Sequence, residues 1–171
     1  MKKISFLLTT VVLVAISAIS YGQQTASATA SASATIITPI SISKTVDLNF
    51  GNVAVGGTSG TVAITAAGVR SATGGVTLPA TAGSPAAASF TVTGQGSYTY
   101  AITLPSTATT IDDGSSHTMT VGTFVSNPGT TGTLSSGTQT LTVGATLNVG
   151  ANQTPGVYTS ATPFTVTVQY N

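Results

Sequence analysis

The chain has 171 residues, of which 41% are hydrophobic and only 4% charged, with no Cys, no Trp and a formal net charge of +1. That hydrophobicity argues against disorder over the whole length, since disordered chains combine low hydrophobicity with high net charge. The four basic residues, Lys2, Lys3, Lys44 and Arg70, are too few to neutralise a run of phosphates, which excludes a nucleic-acid partner.

In chain order, Lys2 and Lys3 precede an apolar stretch from Ile4 to Ile19 and then Ser20-Tyr21-Gly22-Gln23. This is the layout of a secretory signal peptide, residues 1–22, cleaved after Gly22. An uncleaved membrane anchor fits less well: the stretch is short, contains Ser5, Thr9, Thr10 and Ser17, and is not followed by a basic cluster. No Cys stands at the cleavage point, so lipid anchoring is excluded. Cleavage leaves Lys44 and Arg70 against Asp47, Asp112 and Asp113, a net charge of −1. The expected location is periplasmic, outer-surface or extracellular, with no membrane span after cleavage. Export permits disulfides, yet there is no Cys to form one.

Residues 23–37 form an Ala/Ser/Thr-rich extension that by composition alone reads as a flexible linker. Its register predicts more. Apolar residues fall at Ala26, Ala28, Ala30, Ala32, Ala34 and Ile36, and the same parity runs on through Ile40, Ile42, Val46, Leu48 and Phe50, interrupted at Thr38 and Lys44. A linker has no reason to hold one parity, so this is an extended segment with a face to bury. Pro39 removes one backbone donor from it.

Over residues 38–171 period-two alternation of apolar residues with Thr or Ser predicts strands, and no sustained helical period occurs. The clearest strands are 90–92, 98–104, 119–121, 141–149 and 164–170. Turns are expected at Gly56-Gly57, Gly74-Gly75, Gly94-Gln95-Gly96, Asp112-Asp113-Gly114, Asn127-Pro128-Gly129 and Thr154-Pro155-Gly156. Strands at this spacing imply an all-β, antiparallel β-sandwich of immunoglobulin-like type, without the Cys and Trp hallmarks of antibody domains.

Catalytic chemistry is sparse. His117 is the sole imidazole and stands at the start of a strand. Asp112 and Asp113 sit in a turn-forming tripeptide, where a weak Ca²⁺ is the alternative to a plain hairpin turn. Lys44 and Asp47 have the residue types of an isopeptide pair, though Lys44 more simply interrupts the apolar face. Leu78-Pro-Ala-Thr-Ala82 and Leu104-Pro-Ser-Thr-Ala108 are similar to sorting signals but read as strand-to-turn exits. No catalytic, cofactor-binding or metal residues are assigned, and no enzyme activity is expected.

Several segments together resemble a family of secreted bacterial β-domains of unassigned function. They include Ala34-Thr-Ile-Ile-Thr-Pro-Ile-Ser-Ile42, Asp47-Leu-Asn-Phe-Gly51, Tyr100-Ala-Ile-Thr-Leu-Pro105, Val143-Gly-Ala-Thr-Leu-Asn-Val-Gly-Ala-Asn-Gln153 and Val166-Thr-Val-Gln-Tyr-Asn171. That family is similar to spore coat protein U and the archaic chaperone–usher pilins. The resemblance implies a pilin-like, incomplete sandwich, completed by the N-terminal extension of the next subunit. It also implies self-association or other surface subunits as partners, with a periplasmic chaperone and usher.

The expected donor face is Ala26, Ala28, Ala30, Ala32, Ala34 and Ile36, and the expected terminal assembly strand is Phe164, Val166, Val168 and Tyr170. The pilin disulfide is impossible here, and the donor is mostly Ala. Burying five methyl groups is worth on the order of 4 kcal/mol, less than half of what branched side chains would supply. The function expected is that of an exported, non-enzymatic structural or surface protein assembling by strand donation. The alternative is a self-complemented secreted binding module, for glycans or adhesion.

Overall fold

A computed structural model describes residues 24–171; the export signal expected over residues 1–22 lies outside the described residues. The alternating sequence becomes ten strands, paired antiparallel throughout. They are β1 (Ser41–Val46), β2 (Ala54–Ile64), β3 (Arg70–Thr77), β4 (Ala88–Thr93), β5 (Thr99–Thr103), β6 (Thr109–Asp112), β7 (Thr118–Asn127), β8 (Thr131–Thr133), β9 (Thr138–Val149) and β10 (Thr167–Tyr170). The described residues contain no helix, and so none long and apolar enough to cross a membrane. Residues 36–171 form one unit; residues 24–35 fall to another and carry no strand.

β9 organises the larger, seven-stranded sheet. Its residues Thr142 to Asn148 pair with β7. Thr142 and Val143 also pair with β4, and Ala145 to Asn148 also pair with β2. A residue meets one partner per edge, so β7 occupies one edge of β9 while β4 and then β2 share the other. β1 extends the sheet beyond β4, β3 beyond β2, and β6 beyond β7. The hand-over from β4 to β2 falls at Gly144, whose added Cβ would lie 2.1 Å from the Ile64 carbonyl oxygen. Glycine is required there because two backbones meet.

From Leu141 onward the odd positions of β9, Leu141, Val143, Ala145, Leu147 and Val149, are all buried. Period two puts them on one face, and they serve two apolar clusters in succession. Leu141 and Val143 join Ala88, Val92, Tyr100, Ile102, Leu134 and Val166, which brings the smaller sheet, ordered β10-β5-β8, against β4 and β9. Ala145, Leu147 and Val149 join Val62, Ile64, Val76, Val121 and Phe50. Tyr100 is fully buried and donates from its hydroxyl to Gln139 Oε1 at 2.7 Å. Gly132 leaves the space its ring occupies, and burial raises the phenol pKa.

Two glycine pairs expected as turns lie inside strands. Gly56-Gly57 is in β2 and Gly74-Gly75 in β3, around a register shift between Val55 and Gly60. A Cβ on Gly75 would come 2.1 Å from Thr58 O, and one on Gly60 2.2 Å from Thr73 O. Gly60, Gly74 and Gly75 permit close strand approach at a bulge, and neither glycine pair reverses the chain. A second shift, between Gly122 and Val125 of β7, inverts parity: Val121 faces the core before it, Phe124 after it. The strand expected over 164–170 begins only at Thr167.

Arg70 holds the long connections. Its Nη1 donates to the carbonyls of Phe50 and Asn52 at 2.8 Å and of Ala82 at 3.3 Å. Asn49 and Ala86 exchange two backbone hydrogen bonds beside it, and the Gly51 N–H donates to Asn49 Oδ1 at 2.7 Å. The Asp47-Leu-Asn-Phe-Gly51 segment is therefore a latch between loops.

Gly144→Ala is expected to cost about 3 kcal/mol in urea unfolding, because a methyl group must displace backbone. Gly129→Ala, where nothing lies within 4 Å of the added Cβ, should stay within about 0.5 kcal/mol of the parent.

Candidate functional site

The assembly residues expected from sequence fall into two groups. Ala26, Ala28, Ala30, Ala32 and Ala34 are exposed and outside any strand, and Ile36, at the start of the second unit, is 92% exposed. Val166 is buried, while Phe164, Val168 and Tyr170 are half-buried, all four packed on their own domain's core. Tyr170 also fastens the two ends of that unit. Its hydroxyl accepts from the Gln95 N–H at 2.6 Å and donates to Thr38 O at 2.8 Å. Its ring meets Tyr98 edge-on at 5.7 Å; Tyr98, at a core parity, is 47% exposed because it lies before β5 begins. β1 and β10 each pair along one edge, with β4 and β5 respectively.

A cleft of about 660 Å³ opens between residues 103–112 and 161–167. The two segments are tied at both ends. Thr103 pairs with Thr167 at one end. At the other, Asp112 and Thr159 exchange two backbone hydrogen bonds of 2.9 Å. Between these ties each segment carries a proline, Pro105 and Pro163. Lacking an N–H, neither can contribute a donor to a ladder, and the segments run apart. Phe164 reaches inward and packs on Phe124 with ring centroids 4.9 Å apart. Most of the lining is Thr, Ser, Ala and Pro, and Asp112 is the one charged residue in it.

Beside the cleft, residues 113–117 join β6 to β7. The Gly114 N–H donates to Asp112 Oδ1 at 3.0 Å, and Asp113 Oδ1 accepts from the Ser115 and His117 N–H groups at 2.8 and 3.2 Å. His117 Nδ1 lies 2.6 Å from Asp113 Oδ2. Burial pushes the Asp113 carboxyl up, but these hydrogen bonds and the His117 ring outweigh it and hold it below the ordinary carboxylate range. Asp113 is thus spent on the turn. Among the described residues no three His, Cys, Asp or Glu converge as metal ligands. Lys44 and Asp47 form an exposed ion pair, an arrangement worth little in stability.

The cleft was not among the sites expected from sequence. Leu104-Pro-Ser-Thr-Ala108 read as a simple strand exit, and Phe164 as part of an assembly strand. The available signal was a proline in each of two Thr-rich segments, Pro105 and Pro163, but their facing position depends on β5–β10 pairing. Residues 40–170 match the model of a family described as a domain of unknown function, DUF4402. Comparison with curated proteins and with solved structures found no match.

Because the folded pKa of Asp113 is depressed, its stabilisation is present above the unfolded carboxylate value of about 3.9 and is lost as pH falls through the folded value. Asp113→Asn should therefore be less stable than the parent at pH 7, and the gap should close on acidification in urea midpoints measured from pH 7 to pH 2. Tyr170→Phe removes both hydroxyl hydrogen bonds and should cost about 1–3 kcal/mol by the same measurement.

Proposed function

Since the chain belongs to the DUF4402 family of domains of unknown function, we propose a role from its own residues: an exported, non-enzymatic structural subunit of a surface assembly. In this reading residues 1–22 direct export, and residues 38–171 fold as an immunoglobulin-like sandwich related to spore coat protein U and archaic chaperone–usher pilins. The extension 23–37 adds a strand to the next copy between β1 and β10. The observation that carries it is the N-terminal segment itself. Ala26 to Ile36 keep one apolar parity over eleven residues, yet Ala26 to Ala34 are exposed without a strand partner and Ile36 is 92% exposed. An alternating segment with an unburied face is what β-augmentation uses.

The receiving edge is supported by pairing. Among the described residues β1 and β10 each pair along one edge only, and Ile40, Ile42 and Val168 are only half-buried. The low charge fits the same role: a net charge of −1 after cleavage offers little mutual repulsion between copies.

The test mixes residues 38–171 with a peptide of residues 23–37 and follows binding and thermal stability, alongside light scattering of residues 23–171. Peptide binding, and multimers of the longer chain that Ala30→Lys disperses, are the expected results. Because each added methylene is worth about 0.8 kcal/mol, a peptide with Ala30→Val should bind about tenfold more tightly. A longer chain that stays monomeric at all concentrations, with no peptide binding, would overturn the reading.

A further inference from the structure

We propose that the cleft between residues 103–112 and 161–167 is a binding site for a neutral carbohydrate. Its volume of about 660 Å³ falls inside the range of ordinary small-ligand sites, about 300–1,000 Å³. The lining then selects the class of ligand. No Lys, Arg or His lines the cleft and its single charged group is the Asp112 carboxylate, so phosphates, sulfates and acidic sugars meet repulsion with no counter-charge. A hard cation needs about six to eight oxygens with several carboxylates among them, and one carboxylate does not supply that set. A purely apolar ligand would strip water from the lining hydroxyls without replacing their hydrogen bonds. A neutral ligand rich in hydroxyls satisfies all three conditions.

Individual groups fit that ligand. Asp112 is held in place by its two backbone hydrogen bonds to Thr159 and by the Gly114 N–H on Oδ1. Its other oxygen is engaged by no group among the described residues and can accept from a sugar hydroxyl, as a charge-assisted hydrogen bond. Thr107, Thr110, Thr162 and Thr165 are among the residues that line the cleft, and none of their hydroxyls bonds within the chain among the described residues. Phe164, steadied by Phe124 at 4.9 Å, supplies an apolar surface for the C–H face of a sugar ring. The rigid ties at both ends of the cleft keep these groups in place before a ligand arrives.

The site does not rest on strand donation, and its test reads sugar resonances where the earlier one reads association. Residues 23–171 are mixed in turn with maltose, cellobiose and lactose and followed by saturation-transfer NMR and titration calorimetry. At least one sugar should receive saturation and bind. Asp112→Asn, whose amide oxygen still accepts from the Gly114 N–H, should weaken that binding about tenfold or more, and Thr162→Val should weaken it with no change in unfolding midpoint. Thr140→Val, on the outer face of β9, should leave it unchanged. No transfer to any of the three sugars, transfer indifferent to both cleft variants, or equally tight binding of glucuronic acid would each overturn the proposal.

Discussion

The rest of the structure depends on the pairing of β9. Both of its edges are occupied, one by β7 and the other by β4 and β2 in succession. Its buried face supplies residues to both apolar clusters. With no Cys in the chain and no helix among the described residues, cohesion comes from strand pairing and apolar burial. A strand that meets three others transmits any loss of register to all of them, since a slip by one residue turns every side chain to the other face. Gly144 is where that arrangement is tightest, because the end of β2 passes through the space a side chain would need.

The same dependence explains why the cleft is where it is. The two sheets are joined by apolar contact through Tyr100, Ile102, Leu141 and Val143, but at the margin the connecting segments carry Pro105 and Pro163 and cannot close into a ladder. What remains is held by Asp112–Thr159 at one end and Thr103–Thr167 at the other.

Much of the fold was legible where burial alone decided it. Strands 90–92, 98–104, 119–121 and 141–149 all lie in or across strands of the structure, because alternation over a half-buried sheet is a local property. The turns at Gly94-Gln95-Gly96 and Asp112-Asp113-Gly114 also separate strands as expected. Legibility failed where glycine had two meanings. Gly56-Gly57 and Gly74-Gly75 read as turns, yet they lie in strands, and at Gly74 and Gly75 the partner backbone comes too close for a Cβ. Phe124 reaches the core only through a bulge, which shifts parity without a marker in composition. The short strands β6 and β8 carried no alternation long enough to detect.

The sequence by itself determined the all-β class of the fold, the place of its longer alternating strands and the scarcity of titratable chemistry. Each of these follows from which side chains water rejects, and from which charged groups are absent. Tertiary structure decided the partners: that β9 serves three strands, that Arg70 binds the carbonyls of Phe50, Asn52 and Ala82, and that Asp113 is consumed by its own turn while Asp112 faces a cleft. Those outcomes depend on backbone groups far apart in the chain coming within hydrogen-bond distance. Backbone groups are the same in every residue other than proline, so side-chain order does not announce which of them will meet.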